Sequence, residues 1–265
     1  MDHAAAERFR ALIAEPAADP PLDEGAWLIA AVAGHSDVDA GLARLDEMAG
    51  AALAFPEART PAGLAKVLFV DWAYRGNTAD YGDPRNSFLP EVIDRRLGLP
   101  ITLSVLMIEV GRRIGVGVHG VGMPGHFLVG VDSDPDRFVD PFHAGVMLDR
   151  EGCRQRLVGQ YGPQMQFDDR FLAPTPARAI LLRILTNLGQ TYAHRRSPDA
   201  RWVGQLRLAF PELPAAERRA IAEVFASVGA FGDAAVVLTE LADRATADDA
   251  EALARQATAF RARSN

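Results

Sequence analysis

The chain is expected to fold as an α+β protein, and three observations carry that expectation. Residues 4–75 and 177–265 place apolar side chains at helical spacing, whereas residues 116–140 alternate apolar and small residues between turn signals. The 265 residues are 49% hydrophobic and 24% charged, the mix of a globular chain long enough for one or two domains. The longest apolar stretch free of Arg, Asp and Glu, residues 98–108, falls well short of the roughly 18 residues that cross a membrane.

The elements follow in order. Asp23 is a candidate cap for a helix carrying Trp27, Leu28, Ala31 and Val32. Ser36 is a candidate cap for the next, with Asp39 at the capping-box position and Leu42, Leu45 and Met48 on one face. Thr60-Pro61 pairs a cap with a first-turn proline, followed by Leu64, Val67, Leu68 and Trp72, and Gly76 ends that run. The turn at residues 83–87 leads into a short helix, roughly 88–97, closed by Gly98. Pro100 suits the first turn of a helix over about 100–114 that is apolar nearly all round and therefore buried. Residues 126–131 and 137–140 read as a strand pair around the polar turn 132–136. The Asp-x-Asp-x-Asp of that turn lacks the Gly and bidentate Glu of a calcium loop. Residues 165–177 read as a linker, and helical hairpins follow, with a tight turn at Gly229–Gly232. They are similar to tetratricopeptide hairpins, although about two such pairs are too few for a free-standing array.

Charge and cysteine content narrow the function classes. The formal net charge of −7 argues against nucleic-acid binding, and nothing suggests a membrane partner. Lys66 is the only lysine, which reads as codon bias of a GC-rich, bacterial genome. The N-terminus shows no basic region followed by an apolar one, so a cytoplasmic protein is expected. Cys153 is the single cysteine, which excludes an intramolecular disulfide. Arg150, Arg154 and Arg156 around it could lower its pKa and make it a thiol nucleophile.

The residues that carry chemistry lie in the strand pair. If Val131 opposes Arg137, then Gly130 faces Phe138, Val129 faces Val139 and Leu128 faces Asp140. His126 shares a face with Leu128, so Asp140 becomes its diagonal neighbour. An Asp that holds one imidazole nitrogen leaves the other as a base, and the same pair also serves as a satisfied buried polar contact. His119, His126 and His143 cluster in sequence but match no zinc spacing, so no metal and no cofactor is expected.

The segments Asn86-Ser87-Phe88-Leu89-Pro90, Gly98-Leu99-Pro100-Ile101-Thr102-Leu103, Gly120–Val129 and Val139-Asp140-Pro141-Phe142 together resemble the transglutaminase-like superfamily. The resemblance is to its SirB-type branch, over about residues 23–245. It implies a papain-like α+β core with a helical N-terminal part (1–80 and 81–172) and a tetratricopeptide-like region (177–265). It places His126 and Asp140 on the family His and Asp. No thiol stands near 100–102, where the family cysteine belongs; Thr102 is the hydroxyl there. The resemblance therefore implies a pseudoenzyme that binds a protein or peptide. The alternative is an acyl-transfer or amide-hydrolysing enzyme using Thr102, or less readily Cys153, with His126 and Asp140.

Overall fold

The computed structural model describes residues 1–15, 18–35 and 37–264. The chain forms two compact units, Met1–Arg8 with Asp19–Ile184, and Phe9–Ala18 with Leu185–Asn265. In chain order the elements are α1 (His3–Leu12), α2 (Leu22–Val32), α3 (Val38–Ala52), α4 (Pro61–Lys66), β1 (Arg75–Gly76), α5 (Leu89–Arg95), β2 (Leu97–Gly98) and α6 (Pro100–Ile114). Then come β3 (Val118–Val121), β4 (Leu128–Val131), β5 (Asp134–Asp140), β6 (Val146–Leu148), α7 (Arg150–Tyr161), β7 (Pro174–Thr175) and α8 (Ala177–His194). Helices α9 (Ala200–Leu208), α10 (Ala215–Ser227), α11 (Phe231–Ala242) and α12 (Ala247–Arg263) complete the chain.

The first unit is organised around α6. Its Ile101, Leu103, Val105, Leu106, Met107 and Val110 are buried, as the all-round apolar pattern predicts. Gly115 ends the helix in the left-handed region, φ 76°. Gly111 lets α6 approach the sheet, because a Cβ there would sit 3.2 Å from both Leu64 and Val118. Among the described residues the sheet has five strands in the order β6-β5-β4-β3-β7, with every neighbouring pair antiparallel. The expected register holds at Val129↔Val139 and Gly130↔Phe138. It then shifts, so that Val131 opposes Asp134 instead of Arg137. This bulge extends β5 back to Asp134 and shortens the expected five-residue polar turn.

Several local expectations are corrected by long-range contacts. Strand β4 begins at Leu128, and His126 sits in the turn before it. Asp23 lies inside the first turn of α2 and holds Arg112 and Arg113 at 2.8 and 2.7 Å. Ser36 lies outside the described residues, and the cap of α3 is Asp37, whose carboxylate accepts from Ala40 N at 2.9 Å. Arg96, in the left-handed region, ends α5, and the following Leu97–Gly98 pairs with Arg75–Gly76 as a short parallel ladder. The segment read as a linker instead supplies β7 on the edge of β3. In the second unit, α9 to α12 follow one another around Leu206, Phe225, Leu238 and Ala257, all buried. Gly229, at φ 82°, makes the turn between α10 and α11.

Candidate functional site

Asp140 is the centre of the site. It ends β5 and caps the turn Pro141–His143, where its carboxylate accepts from His143 N at 3.3 Å. Pro141 starts that turn and brings the His143 ring back over the carboxylate. Three further donors converge on it. His126 Nε2 lies 3.0 Å from Oδ1, His143 Nδ1 lies 2.8 Å from Oδ2, and Arg156 Nε lies 3.1 Å from Oδ2. The Asp140 side chain is fully buried, whereas those of His126, His143 and Arg156 are 10%, 44% and 34% exposed. Burial alone would raise its pKa. The His126 bond and the charges of His126, His143 and Arg156 outweigh that and hold the carboxyl below its ordinary value.

The turn that presents His126 is held from both sides. Gly125 adopts φ 67°, and a Cβ there would meet Gln160 Nε2 and Tyr161 Oη, each at 2.4 Å. Gln160 Nε2 donates to Gly125 O at 3.3 Å. Arg183 of α8 donates to Met123 O and His126 O at 2.9 and 2.8 Å, and lies over the Phe127 ring. A cavity of about 300 Å³ opens beside the imidazoles, lined by His126, His143, Gln155, Arg156, Gly159 and Gln160. On another side the Phe142 ring meets His126 edge-on at 6.2 Å and Tyr81 at 5.9 Å.

Thr102 lies in the first turn of α6 and is buried. Its Oγ1 accepts from Leu99 N at 3.0 Å and is placed to donate to Asn86 O at 2.8 Å, with Leu99 O at 3.2 Å. Both roles of the hydroxyl are thus taken by backbone groups. Ser104 similarly bonds back to Pro100 O at 2.8 Å. Cys153 is fully buried among Val121, Met123, Leu128, Phe138 and Leu157. Burial, joined by the nearby Asp140 and Asp149, pushes its thiol up to about 12. The expected lowering by arginines is overturned, because the apolar surroundings outweigh Arg150 and Arg156.

The structure therefore brings His126 and Asp140 into direct contact and leaves Thr102 bonded to Asn86 and Leu99. His119 stands apart from the cluster, bonded through Nδ1 to Asp132 at 2.7 Å. Sequence reasoning names His143 only beside His119 and His126, and Arg156 only beside Cys153, without placing either on Asp140, and it misses Arg183. His143 was signalled by the Asp140-Pro141 step, which turns the third residue back onto the carboxylate. Arg156 follows Cys153 by three residues on one helix, a spacing that puts both on the side facing the sheet. Arg183 carried no local signal.

Comparison with known proteins places these residues in context. The profile of the transglutaminase-like superfamily matches residues 36–186. A UPF0162 protein of Xylella fastidiosa (strain 9a5c) is 44% identical over 164 residues, covering 59% of this chain and 58% of that protein. A UPF0162 protein of Vibrio cholerae is 30% identical over 125 residues, 46% of each chain. The F-box only protein 21 of Mus musculus is 32% identical over 104 residues, 36% of this chain and 16% of that protein. The chain thus spans less than two thirds of the length of each of these relatives. No solved structure matches. No helix among the described residues is long and apolar enough to cross a membrane.

Proposed function

Because the chain belongs to the transglutaminase-like superfamily, we propose that it is a non-catalytic member, a SirB-type module that binds a protein or peptide. The observation that supports this reading is the Thr102 hydroxyl, held by Leu99 N and Asn86 O, at the position that the resemblance assigns to the family nucleophile. Asp140, with four donors around it, then serves to fix two imidazoles and a guanidinium on the wall of a cavity. Such a wall offers hydrogen-bond donors to the carbonyls or carboxylates of a bound chain. Residues 81–172 are proposed as the transglutaminase-like core and 177–265 as tetratricopeptide-like hairpins. The 16% coverage of the F-box only protein 21 supports the idea of a module, since a similar segment occurs inside a much longer chain.

A second reading is favoured by the His126–Asp140 bond itself. The bond engages Nε2, and Nδ1 is the nitrogen that could act as a base in acyl transfer or amide hydrolysis by Thr102. That reading requires the Thr102 hydroxyl to leave two backbone partners. The two are separated by selecting displayed peptides on the immobilised full chain and titrating the best of them calorimetrically. The binding reading expects a saturable 1:1 isotherm that weakens at least tenfold in His126→Ala. Turnover of ester or amide substrates that disappears in both His126→Ala and Thr102→Ala would overturn it.

A further inference from the structure

We propose that His126, Asp140 and His143 form a binding site for a divalent transition-metal cation of the zinc class. One atom from each side chain, two imidazole nitrogens and a carboxylate oxygen, lies within 4.8 Å of the others. His126 Nε2 lies 3.0 Å from Oδ1 and His143 Nδ1 lies 2.8 Å from Oδ2, so each imidazole meets a different oxygen of the carboxylate. Ligands about 2.0–2.1 Å from a tetrahedral ion stand roughly 3.3 Å apart, so a set already within 4.8 Å needs shifts of about 1.5 Å or less, within reach of side-chain rotation. Two imidazoles and one carboxylate suit zinc and its neighbours better than magnesium or calcium, which take oxygen ligands.

The proton balance is simple. Each imidazole now presents to Asp140 the nitrogen that would ligate. A neutral ring moves its proton to its other nitrogen, and a charged ring releases one to solvent. His126 thus binds through Nε2 and His143 through Nδ1. Both rings line the cavity of about 300 Å³, which has room for the water molecules that complete the coordination.

Arg156 is the built-in competitor. Its guanidinium occupies Asp140 Oδ2 at 3.1 Å and repels a dication at that point. Its side chain is 34% exposed, so it can turn out to solvent when the ion enters. The proposal therefore makes an asymmetric prediction. Losing a ligand weakens the site, and losing Arg156 strengthens it. A network that is merely structural predicts no gain from removing Arg156.

The test uses the full chain, stripped with a chelator and titrated with Zn(II) by calorimetry and with Co(II) by visible absorption. One equivalent is expected to bind, with Co(II) bands of a low-coordinate nitrogen–oxygen site. His143→Ala, at a side chain that is 44% exposed, is expected to weaken binding by at least the roughly 10–100-fold that an outer-shell loss costs, with folding checked by circular dichroism. Arg156→Gln is expected to tighten it severalfold, and His119→Ala to leave it unchanged. No binding to the wild type, binding unaffected by His143→Ala, or binding lost in His119→Ala would overturn the proposal. Peptide affinity measured on the stripped chain reports on the binding reading separately.

Discussion

The start of α6 and the end of β5 belong to the same unit and bury their polar side chains to a similar degree, yet they use them in opposite ways. At α6, Thr102 turns inward and satisfies Leu99 N at the helix start and Asn86 O of the preceding turn. At β5, Asp140 is satisfied by the His143 backbone N–H and by three side chains that reach the edge of a cavity. A hydroxyl held by backbone on both sides is a structural element. A carboxylate held by two imidazoles and a guanidinium fixes those groups beside a cavity, which the proposed reading takes as a binding wall. On the proposed reading, Thr102 stands for a nucleophile half that is closed, and His126 with Asp140 for an acid–base half that is open.

The largest effect should come from breaking the open half. Asp140→Ala leaves two imidazoles and Arg156 without their common acceptor, and is expected to cost about 3–5 kcal/mol, read from the urea midpoint. A loss under about 1 kcal/mol would mean that the network is not needed for folding.

The closed half is tested next by Thr102→Val, which keeps the shape and removes the hydroxyl. It leaves Leu99 N and Asn86 O unpaired in a buried setting, for about 1–3 kcal/mol. Thr102→Ser should recover most of this. A fully stable Thr102→Val protein would imply that the hydroxyl is free for other work.

Gly125→Ala sharpens the contrast by disturbing the turn that presents His126 while sparing α6. The left-handed backbone costs about 1 kcal/mol. Gln160 and Tyr161 must also move, so peptide affinity should fall more than stability does.

The smallest effect concerns Cys153. Its thiol ionises near 9 when exposed and is pushed up to about 12 by burial. The neutral thiol favours the folded state, so its contribution is complete below pH 9 and declines as pH rises from 9 towards 12. At pH 8 a thiol reagent should label the native chain only at the rate of unfolding. Rapid stoichiometric labelling would reopen the thiol-nucleophile reading.

Much of this contrast was legible in the sequence where the causes are local. Pro100, the apolar run and Gly115 define α6, and period-2 alternation sets Val129 against Val139 and Gly130 against Phe138. That register brings Asp140 beside the start of β4, and the turn before β4 then carries His126 onto it. What escaped depends on partners far along the chain. Asp23 reads as a cap because nothing nearby reveals Arg112 and Arg113, some 90 positions on. The bulge after Gly130 has no sequence marker, and Pro174–Thr175 is too short and proline-flanked to read as a strand. Thr102 was legible as a hydroxyl near a helix start, but its second partner, Asn86, was not.

The central claim is that the hydroxyl at the start of α6 does not form acyl intermediates. The direct measurement is the intact mass of the full chain after incubation with activated esters and a fluorophosphonate, followed by peptide mapping, for wild type and His126→Ala. The account predicts no stoichiometric adduct at Thr102 in either protein. A one-to-one adduct on Thr102 in the wild type that vanishes in His126→Ala would contradict it.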